Sequence, residues 1–420
     1  VRLEPGMRLG PTIRARAPRV EIGEELSWVM RRSFGPTRPG GGGGVSSPER
    51  VERLATALGL GSRIVARCGF EVICDELGAE VAEKLRQCFI ESAAQQLIYE
   101  EVLGRAGRLA DSLGTRVIVL KGVALHALGR SPFGGRPVSD LDLLVVGGKA
   151  RLLQAALIRE GWRERDMPEG EQHLPGLIHS AGARIEIHLV LRGVYWPGSS
   201  EALSATRLLS EGLCVPDPGG RAGVLVPCDD VLVAHAIVHA LVQHGYEVGS
   251  YPVLRILSDL QDIGWGRSRL GAFMRRGYRW ISGDVAEEEV RGLFELVWSL
   301  QGGGCPARIA QEDSPAGRML RHLVGVLSDR SYQKAVRLLR VVSPVPARKG
   351  AAQVLRVFRR NLWITAEQAA AAGGRPPGGP RLLLMRVTRP LALLAAPLIF
   401  VLSWVLYRFG AGRSNPGKRQ

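Results

Sequence analysis

Between Val117 and Leu191 the hydrophobic period switches from helical to strand-like and back, and this constrains the fold more than any other stretch. VIVL (117–120), VSDLDLLVV (138–146) and ARIEIHLVL (183–191) are short apolar runs of strand character. KARLLQAALIRE (149–160) repeats its apolar residues at helical spacing and stops at Gly161. Strand, helix, strand, helix, strand is the signature of a small α/β unit around a mixed sheet.

The pleat then assigns faces. In SDLDLLVV, Asp140 and Asp142 share one face and Leu141, Leu143 and Val145 the other. In RIEIHLVL, Glu186 and His188 share one face and Ile185, Ile187 and Leu189 the other. Two carboxylates on one side of a buried strand oppose each other's ionisation, and burial opposes both. A compensating cation is therefore required. If the third strand lies beside the second, Glu186 joins the pair in an all-oxygen site that suits Mg²⁺ or Mn²⁺. Removing one acid from such a site should relieve repulsion in the metal-free chain. The alternative is a solvated edge, or ion pairs from the aspartates to Arg136 or Arg184.

Upstream, the first strand runs into Lys121-Gly122 and a short helix, where free backbone N–H groups and a lysine can receive a phosphate chain. A plain helix-initiating turn is the competing reading. Arg136 is a second candidate for the phosphates, on charge and position. In HAIVHALVQH, His235 and His239 stand at i, i+4 with His244 further on, a spacing that can hold zinc but lacks a third ligand. Packing in the core or lining a cleft is the other role open to them.

LKGVAL, RPVSDLDLLV, IEIHLVL, and DDVLVAHAIVHALVQHG with LSDLQDI, in this order and spacing over about residues 50–265, resemble the uncharacterised bacterial nucleotidyltransferase family of the polymerase-β superfamily. The resemblance implies that Gly122 is the turn glycine, Asp140 and Asp142 the metal-binding pair and Glu186 the third acid. The three acids would then be both catalytic and metal-binding, with Lys121, Gly122, Arg136 and His239 on the nucleotide side. It implies transfer of an NMP group from an NTP to an acceptor, with Mg²⁺ or Mn²⁺ as cofactor. Two features depart from the superfamily pattern: Lys121-Gly122 stands where Gly-Ser is usual, and seventeen residues separate Gly122 from Asp140. A nucleotide-binding relative without turnover and a membrane-associated scaffold are the alternatives.

The expected fold is α+β, a small mixed-sheet nucleotidyltransferase core flanked by N- and C-terminal helices. With 45% hydrophobic but only 6% aromatic residues, most of the chain should be helical. Residues 1–48 form a flexible arm and Gly-rich linker, 49–115 a helical region of one long helix or two, and 116–192 the α/β core. A Pro/Gly-rich connection at 193–227 opens a C-terminal helical domain over 193–371, and 372–420 are a Pro/Gly linker and basic apolar tail. Six cysteines without a CxxC pair suit a reducing cytoplasm. The net charge of +16 is concentrated in residues 331–420, which hold sixteen Lys or Arg against one acid, Glu367. Such a tail can meet an anionic membrane surface, nucleic acid or an acidic partner. Its seventeen-residue apolar run, 391–407, stands at the lower limit of a spanning helix and equally suits a core or interfacial one.

Overall fold

The computed structural model describes residues 22–36, 45–165, 173–197, 199, 201–243, 254–264, 267–281 and 285–328. The glycine run at 40–44, His244, the basic block at 331–420 and the apolar run at 391–407 lie outside these residues.

The first described element is helix α1 (Glu24–Phe34), which lies within the stretch 1–48 expected as a flexible arm and buries Trp28, Met30 and Phe34; α2 (Pro48–Ala57), α3 (Gly61–Cys68), α4 (Phe70–Leu77) and α5 (Ala79–Ser112) follow. The apolar period expected to give one helix or two is thus divided among four. Gly69 and Gly78 separate the last three, with φ of 82° and 83°. Side-chain-bearing residues avoid that left-handed region, so each glycine ends one helix and redirects the next. The final helix of 34 residues buries Val81, Leu85, Leu103, Ala106 and Ala110 along one stripe.

The sheet follows as β1 (Val117–Val119), α6 (Lys121–Ala127), β2 (Leu141–Val145), α7 (Ala150–Arg159), β3 (Arg163–Glu164), β4 (Leu177–Ile178), β5 (Arg184–His188), β6 (Leu191–Tyr195), β7 (Ala202–Leu203), α8 (Ala205–Ser210), β8 (Cys214–Pro216) and β9 (Val224–Pro227). Seven of these strands form one sheet in the order β3-β4-β5-β2-β1-β9-β8, and β6 pairs with β7 apart from it. It is mixed, as expected: β2 runs antiparallel to β1 and parallel to β5, while β1 runs parallel to β9. β1 is buried throughout, which explains its unbroken apolar sequence. Leu141 and Leu143 of β2 and Ile185 and Ile187 of β5 are fully buried, each contributing about 1.5–3 kcal/mol by leaving water.

Two findings concern short elements. The polar stretch 162–181, which the sequence leaves as a loop or an added hairpin, supplies β3 at the edge of the sheet and β4 between β3 and β5, and the two pair antiparallel. The Pro/Gly-rich connection 193–227 holds α8 and three strands, two of which, β8 and β9, extend the main sheet past the expected limit at 192. Strands of three and four residues around a turn rich in Gly and Pro are too short to show a period.

Beyond the sheet come α9 (Asp229–Val238), which continues into a wider π turn over His239–Gln243, then α10 (Arg255–Asp262), α11 (Arg267–Arg275), α12 (Glu287–Gln301), α13 (Pro306–Gln311) and α14 (Pro315–Ser328). α10 is fastened to distant parts of the chain. Arg63 of α3 has a side chain only 1% exposed and donates from Nη1 to Asp262 Oδ2 at 3.0 Å and from Nη2 to Gln261 Oε1 at 2.7 Å. Its Nε donates to the Ser33 carbonyl of α1 at 3.0 Å, and Ser131 Oγ donates to Asp262 at 2.6 Å. No helix among the described residues is long and apolar enough to cross a membrane.

Candidate metal and nucleotide site

The site lies where β1 ends and α6 begins. Leu120 N–H still bonds to the Asp142 carbonyl of β2 at 3.0 Å, and the chain then turns through Lys121 with φ of 52°. A left-handed lysine costs about 1–2 kcal/mol, so the surrounding structure must hold it there. The turn brings Lys121 Nζ to 2.7 Å from Asp142 Oδ1.

Asp142 is the most enclosed of the acids, with 1% of its side chain exposed. Its Oδ1 also meets His188 Nε2 at 2.7 Å. Burial opposes its charge, yet Lys121 and the His188 hydrogen bond overcome this and hold the carboxyl well below the usual range. Burial likewise works against the Lys121 ammonium, but Asp142 and Asp140 raise it above the ordinary lysine value. The charge compensation that the sequence demanded is thus already present in the chain, and its source is Lys121.

Asp140 stands one residue before β2 and is half-buried, with Ser139 Oγ donating to it at 3.1 Å. Burial and the neighbouring Asp142 push its carboxyl up to about 6. Mutual repulsion therefore acts as expected on Asp140 and is overridden at Asp142. Neither aspartate takes Arg136 as its partner.

β5 lies beside β2 with Asp142 directly opposite Glu186 and Leu144 opposite His188. Parallel register thus delivers Glu186 and His188 to the side of the sheet that carries Asp142. One ligand atom from each of Asp142, Glu186 and His188 lies within 4.8 Å of the others, a spacing that can accept a divalent cation. Two carboxylates and an imidazole suit Mn²⁺ as well as Mg²⁺, with the nitrogen favouring the softer ion. The alternation in IEIH had already put His188 on the face of Glu186, but an all-oxygen reading left it without a role.

Tyr99 of α5 fastens the two approaches to this site. Its hydroxyl donates to the Ser139 carbonyl at 2.7 Å, just before Asp140, and accepts from Arg184 N–H at 3.2 Å, at the start of β5. Only an aromatic at a helical core position announces it, and such residues are usually packing.

Arg136 enters from the loop before β2 and meets Asp259 of α10, Nε to Oδ1 at 2.7 Å and Nη2 to Oδ2 at 3.0 Å. Both side chains are 7% exposed. Its guanidinium lies against Gly122, where an added Cβ would overlap Nη1 and stand 2.5 Å from Cζ. The missing side chain at Gly122 therefore admits Arg136, a packing reason distinct from the approach of a phosphate. His235 and His239 line the same cleft as Lys121, Gly122, Asp140 and Glu186, with their rings edge to face at 6.1 Å. Burial, reinforced by Lys121, holds His235 down to about 3, so it is neutral. Among the described residues, neither histidine joins a group able to hold a metal, and His244 lies outside them.

The profile of a family described as "Uncharacterised nucleotidyltransferase" matches residues 46–264, from α2 through α10 and just over half of the chain. No curated protein and no solved structure matches it.

Proposed function

We propose, since the chain belongs to the uncharacterised nucleotidyltransferase family, that it transfers an NMP group from an NTP to an acceptor hydroxyl or similar nucleophile. The observation that carries the reading is the register of β2 and β5, which sets Asp142 opposite Glu186 with Lys121 at the adjoining turn. In the reaction a bond forms between the acceptor nucleophile and the α-phosphorus, the bond to the β-phosphate oxygen breaks, and pyrophosphate leaves in line.

Asp142, Glu186 and His188 would hold a divalent cation, with Asp140 on the wall beside them. The chemistry that Mg²⁺ or Mn²⁺ supplies when bound is neutralisation of the triphosphate and of the charge that develops during displacement. Glu186, 29% exposed against 1% for Asp142, faces the solvent from which an acceptor arrives and takes its proton. Lys121 meets the phosphate chain as a point charge. Gly122, the Arg136–Asp259 pair and His239 line the cleft.

Incubation of the full chain with each labelled NTP, a divalent cation and a cell extract tests this directly. Metal-dependent pyrophosphate release, lost in Asp142→Asn, is the expected result. Absence of both NTP binding and pyrophosphate release would overturn it, and binding without release would favour the nucleotide-binding alternative.

A further inference from the structure

We propose that Lys121 is a built-in counter-cation that competes with the divalent metal for Asp142 and passes to the triphosphate when the metal takes its place. The inference rests on the metal-site reading above and deepens it by coupling metal uptake to nucleotide uptake.

Three observations carry it. First, Lys121 Nζ sits 2.7 Å from Asp142 Oδ1, the oxygen that His188 Nε2 also meets at 2.7 Å. With two partners already on that oxygen, a metal bound there has to displace one. The imidazole can itself act as a ligand, whereas an ammonium has three N–H donors and no lone pair, so Lys121 is the group that leaves.

Second, two arginines, Arg136 and Arg255, line the cleft with Lys121, and Arg136 is held by Asp259 on two nitrogens. The ammonium in contact with Asp142 is that of Lys121, which neutralises it in the metal-free chain. Third, the left-handed backbone at Lys121 fixes the stem at the mouth of the turn, while four methylene groups leave the ammonium free to swing. Both positions of that ammonium belong to one cleft, which Lys121 lines together with Asp140 and Glu186.

The consequence is synergy. Metal alone must break a buried ion pair and binds weakly. Once nucleotide is present, the displaced ammonium finds phosphate oxygens in place of Asp142, and both ligands bind more tightly.

The test is Mn²⁺ titration of the full chain by calorimetry, without nucleotide, for wild type, Lys121→Met and Lys121→Arg. Lys121→Met should bind Mn²⁺ at least about tenfold more tightly, and Lys121→Arg, which keeps a cation at the turn, should stay near wild type. With Mn²⁺ present, Lys121→Met should bind a non-hydrolysable NTP analogue about tenfold more weakly. Unchanged or weaker Mn²⁺ binding by Lys121→Met overturns the competition and leaves the metal site standing, whereas no Mn²⁺ binding by any of the three proteins overturns both. Wild-type protein supplies an independent check that needs no variant to fold. Acylation of Lys121 by an amine-directed reagent, followed by peptide mass spectrometry, should rise when Mn²⁺ is added, and unchanged labelling refutes the exchange.

Discussion

Gly122→Ala is the most demanding test of how the cleft is built. Alanine favours a helix over glycine by about 0.5–1 kcal/mol, so on propensity alone the substitution should stabilise α6. Against this, the new methyl carbon would overlap Arg136 Nη1 and lie 2.5 Å from Cζ. An arginine tip normally moves aside at little cost. Here it cannot, because Nε and Nη2 are held by Asp259 at 2.7 and 3.0 Å in a pair of side chains each 7% exposed. Separating a buried ion pair costs about 3–5 kcal/mol, which leaves a net loss of about 2–4 kcal/mol after the helix gain. The measurement is the shift in midpoint of a single denaturant transition of the full chain, because a protein of this size need not unfold in two states. In an Arg136→Ala background the same glycine substitution should be neutral or stabilising, giving a coupling of at least about 2 kcal/mol between the two positions. Wild-type stability for Gly122→Ala, or an equal cost in both backgrounds, would show that Arg136 does not rest on this glycine.

Asp142→Asn should destabilise the metal-free chain by about 3 kcal/mol, since it leaves the Lys121 ammonium buried without its anion. This reverses the sign expected from repulsion among three acids, and a neutral or stabilising effect in thermal or chemical denaturation would restore that expectation. Asp140 predicts a pH dependence. Its carboxyl, raised from 3.8 to about 6, holds its proton more tightly in the folded chain than in the unfolded one. That contribution is present below 3.8 and is lost as pH rises through about 6, so metal-free wild type should lose stability relative to Asp140→Asn across this window. Wild type gaining on the variant over the same range would contradict it. Tyr99→Phe removes the donor to the Ser139 carbonyl and the acceptor for Arg184 N–H, with an expected cost of about 1–3 kcal/mol and weaker Mn²⁺ binding. Loss of stability with unchanged Mn²⁺ affinity would reduce it to a packing residue.

The legible parts of this chain were those in which the period alone carries the information. Alternation in SDLDLL and RIEIHL predicted which side of each strand the acids occupy, and parallel pairing then set Asp142 opposite Glu186. The strand-to-helix turn at Lys121 was equally visible. What stayed hidden depends on partners far along the chain or on backbone angles that no pattern encodes. Arg136 looked like a phosphate ligand because its partner, Asp259, lies 123 residues away. Lys121 likewise looked free, because a left-handed lysine that turns back onto Asp142 leaves no trace in composition. His188 shares the face of Glu186, yet an imidazole beside carboxylates has several uses and the alternation selects none of them.

The two ion pairs that fasten α10 also bear on how this protein is made. Arg63 and its acceptor Asp262 are 199 residues apart, and Arg136 and Asp259 are 123 apart. At about 5–20 residues per second, a ribosome needs on the order of 10–40 s to deliver Asp262 after Arg63. During that interval Arg63, and Arg136 once it is made, wait for Asp262 and Asp259. These two ion pairs form only after α10 leaves the exit tunnel. The wall of the cleft is accordingly among the last parts of the matched region to be completed, and a nascent chain cut short before residue 254 would carry the acids without the helix that closes them in.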